Sequence, residues 1–492
     1  MTNDESIIKL KQTFLSQLKL LLDKHKIKES FELFKNEQIR HLIAVDCDLL
    51  WEIITLVGAR LKGLNEFRFK TFQTCQDILM ELSKLCKPKE VLLALLAELE
   101  NQSDSEGSIC DNHFKAFLTP LEYVLICLPT KRNETLKWVL NTLNMHISKI
   151  ELPEELQLEG KERLLIDQQN EVKRINRLLP SYIKFLETFV NEVDVTKVTD
   201  AQPTTKSSSN PSVQRIILLK TLLYLLYHPL INLDLTNETQ SESRIFTLEI
   251  VKLIAKVNPN FYSLSERTDL INEPSKSDDN ELFLNQTSFE LSLANLSYLV
   301  YCESTEPNIM MPSVYTHAYI LGSNLKSIDA LLQQAASLIC EKGLCLANSL
   351  LQKVSDGQLG YESLEQLKCY QIEKSLIQIM VFGNLKSQRQ LALTVFKQLI
   401  VCFNDECKYH ILHSILSQRD QHSGVCALII KIYKDNISKG KDDYDEVFIG
   451  QNLHRFIRSA INNSIPDGEN SDLLEKNDII FGTLNLIRYV FL

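Results

Sequence analysis

The stretch SQRQLALTVFKQLIVC, Ser387–Cys402, decides the fold class. Leu391, Val395 and Leu399 stand at i, i+4 and i+8, with Ala392, Phe396 and Ile400 beside them. One turn per roughly 3.6 residues brings all six to one helix face. Arg389, Gln390 and Lys397 take the other sides. The same spacing recurs upstream in Ile7, Leu10, Phe14, Leu18 and Leu21, and again in Phe72, Cys75, Leu79, Leu82 and Leu85. Val91, Leu92, Leu95, Leu96 and Leu99 predict a helix buried on more than one side, with Pro88 in its first turn, where a missing N–H costs nothing. Further stripes predict helices over 113–128, 134–150, 161–190, 213–227, 243–257, 289–301, 323–354 and 359–382. Beyond Cys402 they predict helices over 406–416, 423–437, 445–461 and 472–491. No segment alternates strictly at period two, so no sheet is expected.

Composition agrees. The 14 Gly and 13 Pro among 492 residues are about half the average share, which favours helices on short connections over sheets and turns. Paired amphipathic helices recurring about every 40 to 50 residues point to an all-α chain, an α-solenoid of HEAT or armadillo type. A plain multi-helix bundle is the alternative architecture. Three spans are polar: 101–112, 194–212 and 258–279. The second carries Pro203, Pro211 and the run Ser207–Ser209, so it is expected to be a flexible linker between N-terminal repeats, 1–193, and C-terminal repeats, 213–492. The third is expected to be a mobile loop over 258–279.

A net charge of −10 argues against general nucleic-acid binding and against a polybasic membrane anchor. The start, MTNDESIIKL, lacks the basic and apolar regions of a signal peptide. No uninterrupted apolar run reaches the roughly 20 residues that span a bilayer. The chain is therefore expected to be soluble and cytoplasmic. Its 12 cysteines form no C-x-x-C pair and read as small buried hydrophobes in a reducing compartment.

No phosphate loop, dinucleotide fingerprint, nucleophile elbow or H-E-x-x-H helix occurs. Cys402, Cys407, His410, His413 and His422 form the one suggestive cluster. A zinc site wants four ligands converging from two chain segments, and no second knuckle faces this one. It reads as an amphipathic helix with polar-face histidines and semi-buried thiols. No catalytic residue, cofactor, small-molecule substrate or metal is expected. Lys431, Lys434, Lys439 and Lys441 read as a solvated face near a helix C-terminus. Ser423 reads as the N-cap of the helix that follows.

Several collinear blocks carry a family resemblance. They are KLCKPKE at Lys84–Glu90 running into VLLALL at Val91–Leu96, and ANLSYLV at Ala294–Val300. KGL at Lys342–Leu344 follows, with NSLL at Asn348–Leu351. Last come HSGV at His422–Val425, DLL at Asp472–Leu474 and LNLIRY at Leu484–Tyr489. Together they resemble the glomulin family, HEAT-like repeat proteins related to the plant aberrant-root-formation proteins. The resemblance implies a non-catalytic inhibitor of protein ubiquitination. Such a protein binds the RING subunit of a cullin–RING ligase, with its cullin, and masks the face that docks the ubiquitin-conjugating enzyme. In the family that contact lies toward the C-terminus. The partner-binding candidates are therefore His422, Ser423, Gly424, Val425, Lys431, Lys434, Asp472, Leu473 and Leu474. The family continues past the Leu484–Tyr489 block, so the resemblance also implies one of three things: the last repeats are absent, the sequence is truncated, or the solenoid ends differently here. The rival function is a HEAT-type scaffold in intracellular transport or tethering that cradles basic or apolar segments.

Overall fold

The computed structural model describes residues 2–24, 27–62, 69–100, 111–195, 210–236, 241–265, 267, 270, 284–303, 315–418, 421–439 and 446–491. The described residues are helical nearly throughout and contain no strand, only an isolated bridge between Leu359 and Phe403. The chain divides into two compact units, Met1–Met311 and Pro312–Leu492.

The first unit runs α1 (Thr2–Asp23), α2 (Ile27–Glu32), α3 (Glu37–Val45), α4 (Cys47–Lys62), α5 (Phe69–Leu85), α6 (Pro88–Glu100) and α7 (Asp111–Cys127). It continues with α8 (Arg132–Ser148), α9 (Asn170–Glu192), α10 (Pro211–Tyr227), α11 (Glu242–Val257), α12 (Phe261–Ser265) and α13 (Gln286–Tyr298). Short polar side chains start several of these helices by satisfying a free N–H. Asn36 accepts from Gln38, Asn210 from Ser212, Ser241 from Arg244 and Asn285 from Ser288.

The packing alternates. α4, α6, α8, α10 and α13 lie side by side in one layer, and α5, α7, α9 and α11 in the other. Each helix buries its stripe against the helices before and after it and against the opposite layer, which defines an α-solenoid. The α6 stripe is buried throughout, as its sequence predicts. Phe114, Tyr182, Phe185 and Phe189 form an aromatic run inside, with ring centroids 5.1–6.2 Å apart. Tyr182 donates to Asn144 Oδ1 at 2.8 Å, and Asn295 Nδ2 donates to the Leu226 carbonyl at 2.8 Å. These bonds tie neighbouring helices at buried polar sites, where an unpaired group would be costly.

Three expectations are corrected. The boundary expected at 194–212 falls inside the first unit, because α10 and α11 pack on α9 across it. Residues 196–209 of that span lie outside the described residues. Within the stretch expected to be a mobile loop, Phe261–Ser265 instead forms α12 and buries Phe261 and Leu264; most of the rest of that loop lies outside the described residues. The helix expected over 161–190 begins as a 3-10 stretch, Gly160–Gln168. Gly160 sits at φ +58, and Gln169 is extended before α9 starts. A left-handed entry and an extended exit interrupt the α-helical bonding there.

The second unit runs α14 (His317–Leu332), α15 (Ser337–Leu351), α16 (Tyr361–Cys369), α17 (Ile372–Phe382) and α18 (Lys386–Cys402). It ends with α19 (Asp405–Leu416), α20 (Ser423–Lys439), α21 (Gly450–Ser464) and α22 (Asn477–Phe491). Its pairs stack in the same manner, α14 on α17 and α15 on α18, then α19 on α21 and α20 on α22. The all-α solenoid reading therefore holds for each unit.

The α14–α15 pair depends on a close approach. A Cβ at Gly343 would stand 2.9 Å from Leu331 Cβ and 3.2 Å from the Leu332 amide nitrogen. Gly343→Ala should destabilise the chain by about 1–3 kcal/mol, because backbone must shift to admit the methyl group. Chemical denaturation of the purified variant measures it; an unchanged midpoint would show that the pair opens freely.

Candidate partner-binding surface

The helix α20 organises the C-terminal candidates. Its first turn is capped by His422, whose Nδ1 accepts the Gly424 N–H at 3.2 Å. Ser423, expected as the cap, is already the first helical residue and is buried. Val425 is buried too, with Cys426, Ile429, Ile430 and Tyr433 following on the inner face. A Cβ on Gly424 would meet the His422 ring at 3.3 Å and Asp478 Oδ2 at 3.6 Å, so the α20 start is also close to α22.

The basic pair separates by role. Lys431 is exposed. Lys434 is half-buried and holds its ammonium 5.8 Å from the Tyr489 ring centroid, within cation–π range. Tyr489 in turn accepts from the Ser438 hydroxyl at 2.9 Å. The side chain of Lys439 and all of Lys441 lie outside the described residues. Asp472 Oδ1 accepts from the N–H groups of Leu474 at 2.9 Å and Glu475 at 3.2 Å. That turn lifts Leu473 and Leu474 into solvent, the latter 88% exposed. Phe481 and Leu484 on α22, Ile461 on α21 and Ile465 just after it are exposed as well.

Beneath this surface sits an aromatic core. Tyr433 stacks on Phe456 at 3.7 Å, meets Phe448 edge-on at 5.4 Å and donates to the Phe448 carbonyl at 3.0 Å. Tyr433 is fully buried, and burial pushes its phenol well above the usual range.

The cysteine and histidine cluster disperses. Cys402 and Cys407 are buried, and Cys402 Sγ points to the Leu351 carbonyl at 3.6 Å. Exposed His410 meets Tyr361 edge-on, whereas His413 stacks on Tyr409 and lies 3.4 Å from the Ser459 hydroxyl. Among the described residues no three His, Cys, Asp or Glu side chains converge to hold a metal ion. Burial raises the thiols of Cys402 and Cys407 and pushes that of Cys426 up to about 11, which keeps them protonated at neutral pH.

One feature escapes sequence reading. A cleft of about 580 Å³ opens between the end of α17, the first half of α18 and the start of α20. Met380, Val381, Leu393, Val425 and Leu428 supply its apolar surface, and Lys386, Arg389 and His422 its charge or potential charge. Only His422–Val425 was legible beforehand. Apart from Leu428 of α20, the remaining residues come from helices roughly 30 to 40 positions upstream, and no local pattern joins them.

Stacked helix pairs with polar turns and an exposed apolar end define a helical-repeat scaffold, a class that acts by protein–protein contact. Residues 293–492 match the uncharacterised protein family YAP/Alf4/glomulin. The chain is 25% identical to glomulin of Mus musculus over 476 residues, covering 94% of this chain and 74% of that one. It is 25% identical to glomulin of Homo sapiens over 473 residues, covering 93% and 73%. The resemblance to the glomulin family is thereby borne out, through the family match over 293–492 and the likeness to both glomulins along most of the chain. Among solved structures it is similar to a circular tandem repeat protein with novel repeat topology and enhanced subunit contact surfaces, at 10% identity and a TM-score of 0.22. That likeness covers 99% of this chain and 98% of the other, and at such a score carries no argument. Among the described residues no helix is long and apolar enough to cross a membrane.

Proposed function

We propose that this protein binds the RING subunit of a cullin–RING ubiquitin ligase, with its cullin, and blocks docking of the ubiquitin-conjugating enzyme. The observation that carries the reading is the relation to two glomulins along more than nine-tenths of the chain. It needs no catalytic residue. Steric masking asks only for a rigid surface of sufficient area, roughly 1,200–2,000 Å² in total for a stable complex. The C-terminal surface suits the task. Leu473, Leu474 and Phe481 are exposed apolar groups on it, and such groups serve as anchors when a partner dehydrates them. Lys431 and Lys434 would steer approach from the rim. The protein acts in the cytoplasm in this reading.

The test is ubiquitin transfer by a reconstituted cullin–RING ligase, with the intact protein added. Transfer should slow in proportion to the amount of protein bound. Leu474→Asp should weaken inhibition at least roughly tenfold, because a charge then replaces a desolvated anchor, while the exposed position leaves folding intact. If the intact protein neither binds the RING subunit nor slows transfer, the reading fails. Recovery of transport or tethering subunits in its place would favour the rival scaffold.

A further inference from the structure

The cleft between α17, α18 and α20 inverts the charge of the molecule that carries it. The chain bears −10, yet Lys386 and Arg389 line this cleft with the titratable His422. Lys386 is exposed, and among the described residues no ion pair engages it. Arg389 donates to the carbonyls of Gly383 at 2.6 Å and Asn384 at 3.3 Å. Two neutral acceptors fix the guanidinium in place without cancelling its charge. The nearest acidic group identified at the α20 start is Asp478 of α22, which approaches Gly424. Between the cations, Met380, Val381, Leu393, Val425 and Leu428 present an apolar floor. A volume of about 580 Å³ accommodates several apolar side chains at once.

We propose that this cleft docks an acidic amphipathic helix of a partner protein, its apolar stripe on the floor and its carboxylates against Lys386 and Arg389. Charge complementarity selects this occupant. Apolar anchors at helical spacing fill such a groove, and flanking charges set orientation and partner choice. A nucleic acid is disfavoured, because few cations line the cleft and the net negative charge repels a polyanion. The proposal stands apart from the ligase reading. The occupant is defined by the chemistry of the cleft, and the assay below contains no ligase, so either can fail alone.

The experiment is fluorescence anisotropy with the full chain and a labelled helical peptide of about 16 residues. The peptide carries Leu at i, i+3, i+4 and i+7 and Glu on the flanks; a counterpart carries Lys in place of Glu. The Glu peptide should bind at least tenfold more tightly than the Lys peptide. Lys386→Glu should weaken the Glu peptide roughly five- to tenfold, and Leu393→Asp should weaken it too. Lys397→Glu makes the same charge change on an exposed position of α18 outside the cleft, and should alter affinity less than twofold. Melting curves of the variants separate lost binding from lost folding. Absence of Glu-peptide binding, equal affinity for the two peptides, indifference to Lys386→Glu, or equally tight binding of a single-stranded oligonucleotide would each overturn the proposal.

Discussion

Arg244→Ala should cost about 3–5 kcal/mol of stability, because it strands a buried carboxylate. Arg244 of α11 donates through Nε to Glu303 Oε2 at 3.1 Å and through a terminal nitrogen to the Glu303 carbonyl at 2.7 Å. Tyr298 donates to the other carboxylate oxygen at 2.8 Å. Both members of the pair are nearly enclosed, with 12% and 8% of their side chains exposed. The desolvation cost of Glu303 is met only while these donors stay in place. The double variant Arg244→Met with Glu303→Leu removes the charge together with its partner, and should recover most of the loss. Urea denaturation of the two variants reads the difference. A single variant costing under about 1 kcal/mol would mean that water screens the pair.

Tyr433→Ala should cost a similar amount, about 3–5 kcal/mol, by opening a cavity between α20 and α21. The ring touches Phe456 face to face, and its volume cannot be refilled without moving one helix. Tyr433→Phe keeps the ring and removes only the hydroxyl bond to the Phe448 carbonyl, so its cost should be about 1 kcal/mol. The ratio of the two losses separates packing from hydrogen bonding. Equal losses would show that the hydroxyl, not the stack, holds the loop carrying Phe448.

The helical stripes were legible because burial in a stacked array acts on every turn of a helix. Leu391, Val395 and Leu399 occupy one such face, and the α6 stripe was correctly expected to be enclosed. Family blocks such as Ala294–Val300 were legible for the same reason, since all seven residues are buried in the core. Breaks were harder to read. Gln371 adopts φ 48 between α16 and α17, and no glycine marks the place. The unit boundary was misread because composition marks a polar, proline-bearing span but does not show how the helices on either side of it pack, and α9 stacks on α11 across it. Among the candidate surface residues, sequence adjacency misled. His422, Ser423, Gly424 and Val425 are consecutive, but a helix turns them to different sides, so Ser423 and Val425 are buried while His422 is exposed.

The alternating layers have a consequence for how the first unit loses its structure. Its principal helix contacts join elements no more than three apart along the chain. Among the described residues even bonds between well-separated positions, such as His228 to the Ile147 carbonyl, join neighbouring helices of the array, so the entropic penalty of adding a helix does not grow with the length already folded. Such an array behaves as a row of coupled neighbours. Hydrogen exchange should therefore spread inward from an end helix by helix, and damage in one pair should fade over the next few.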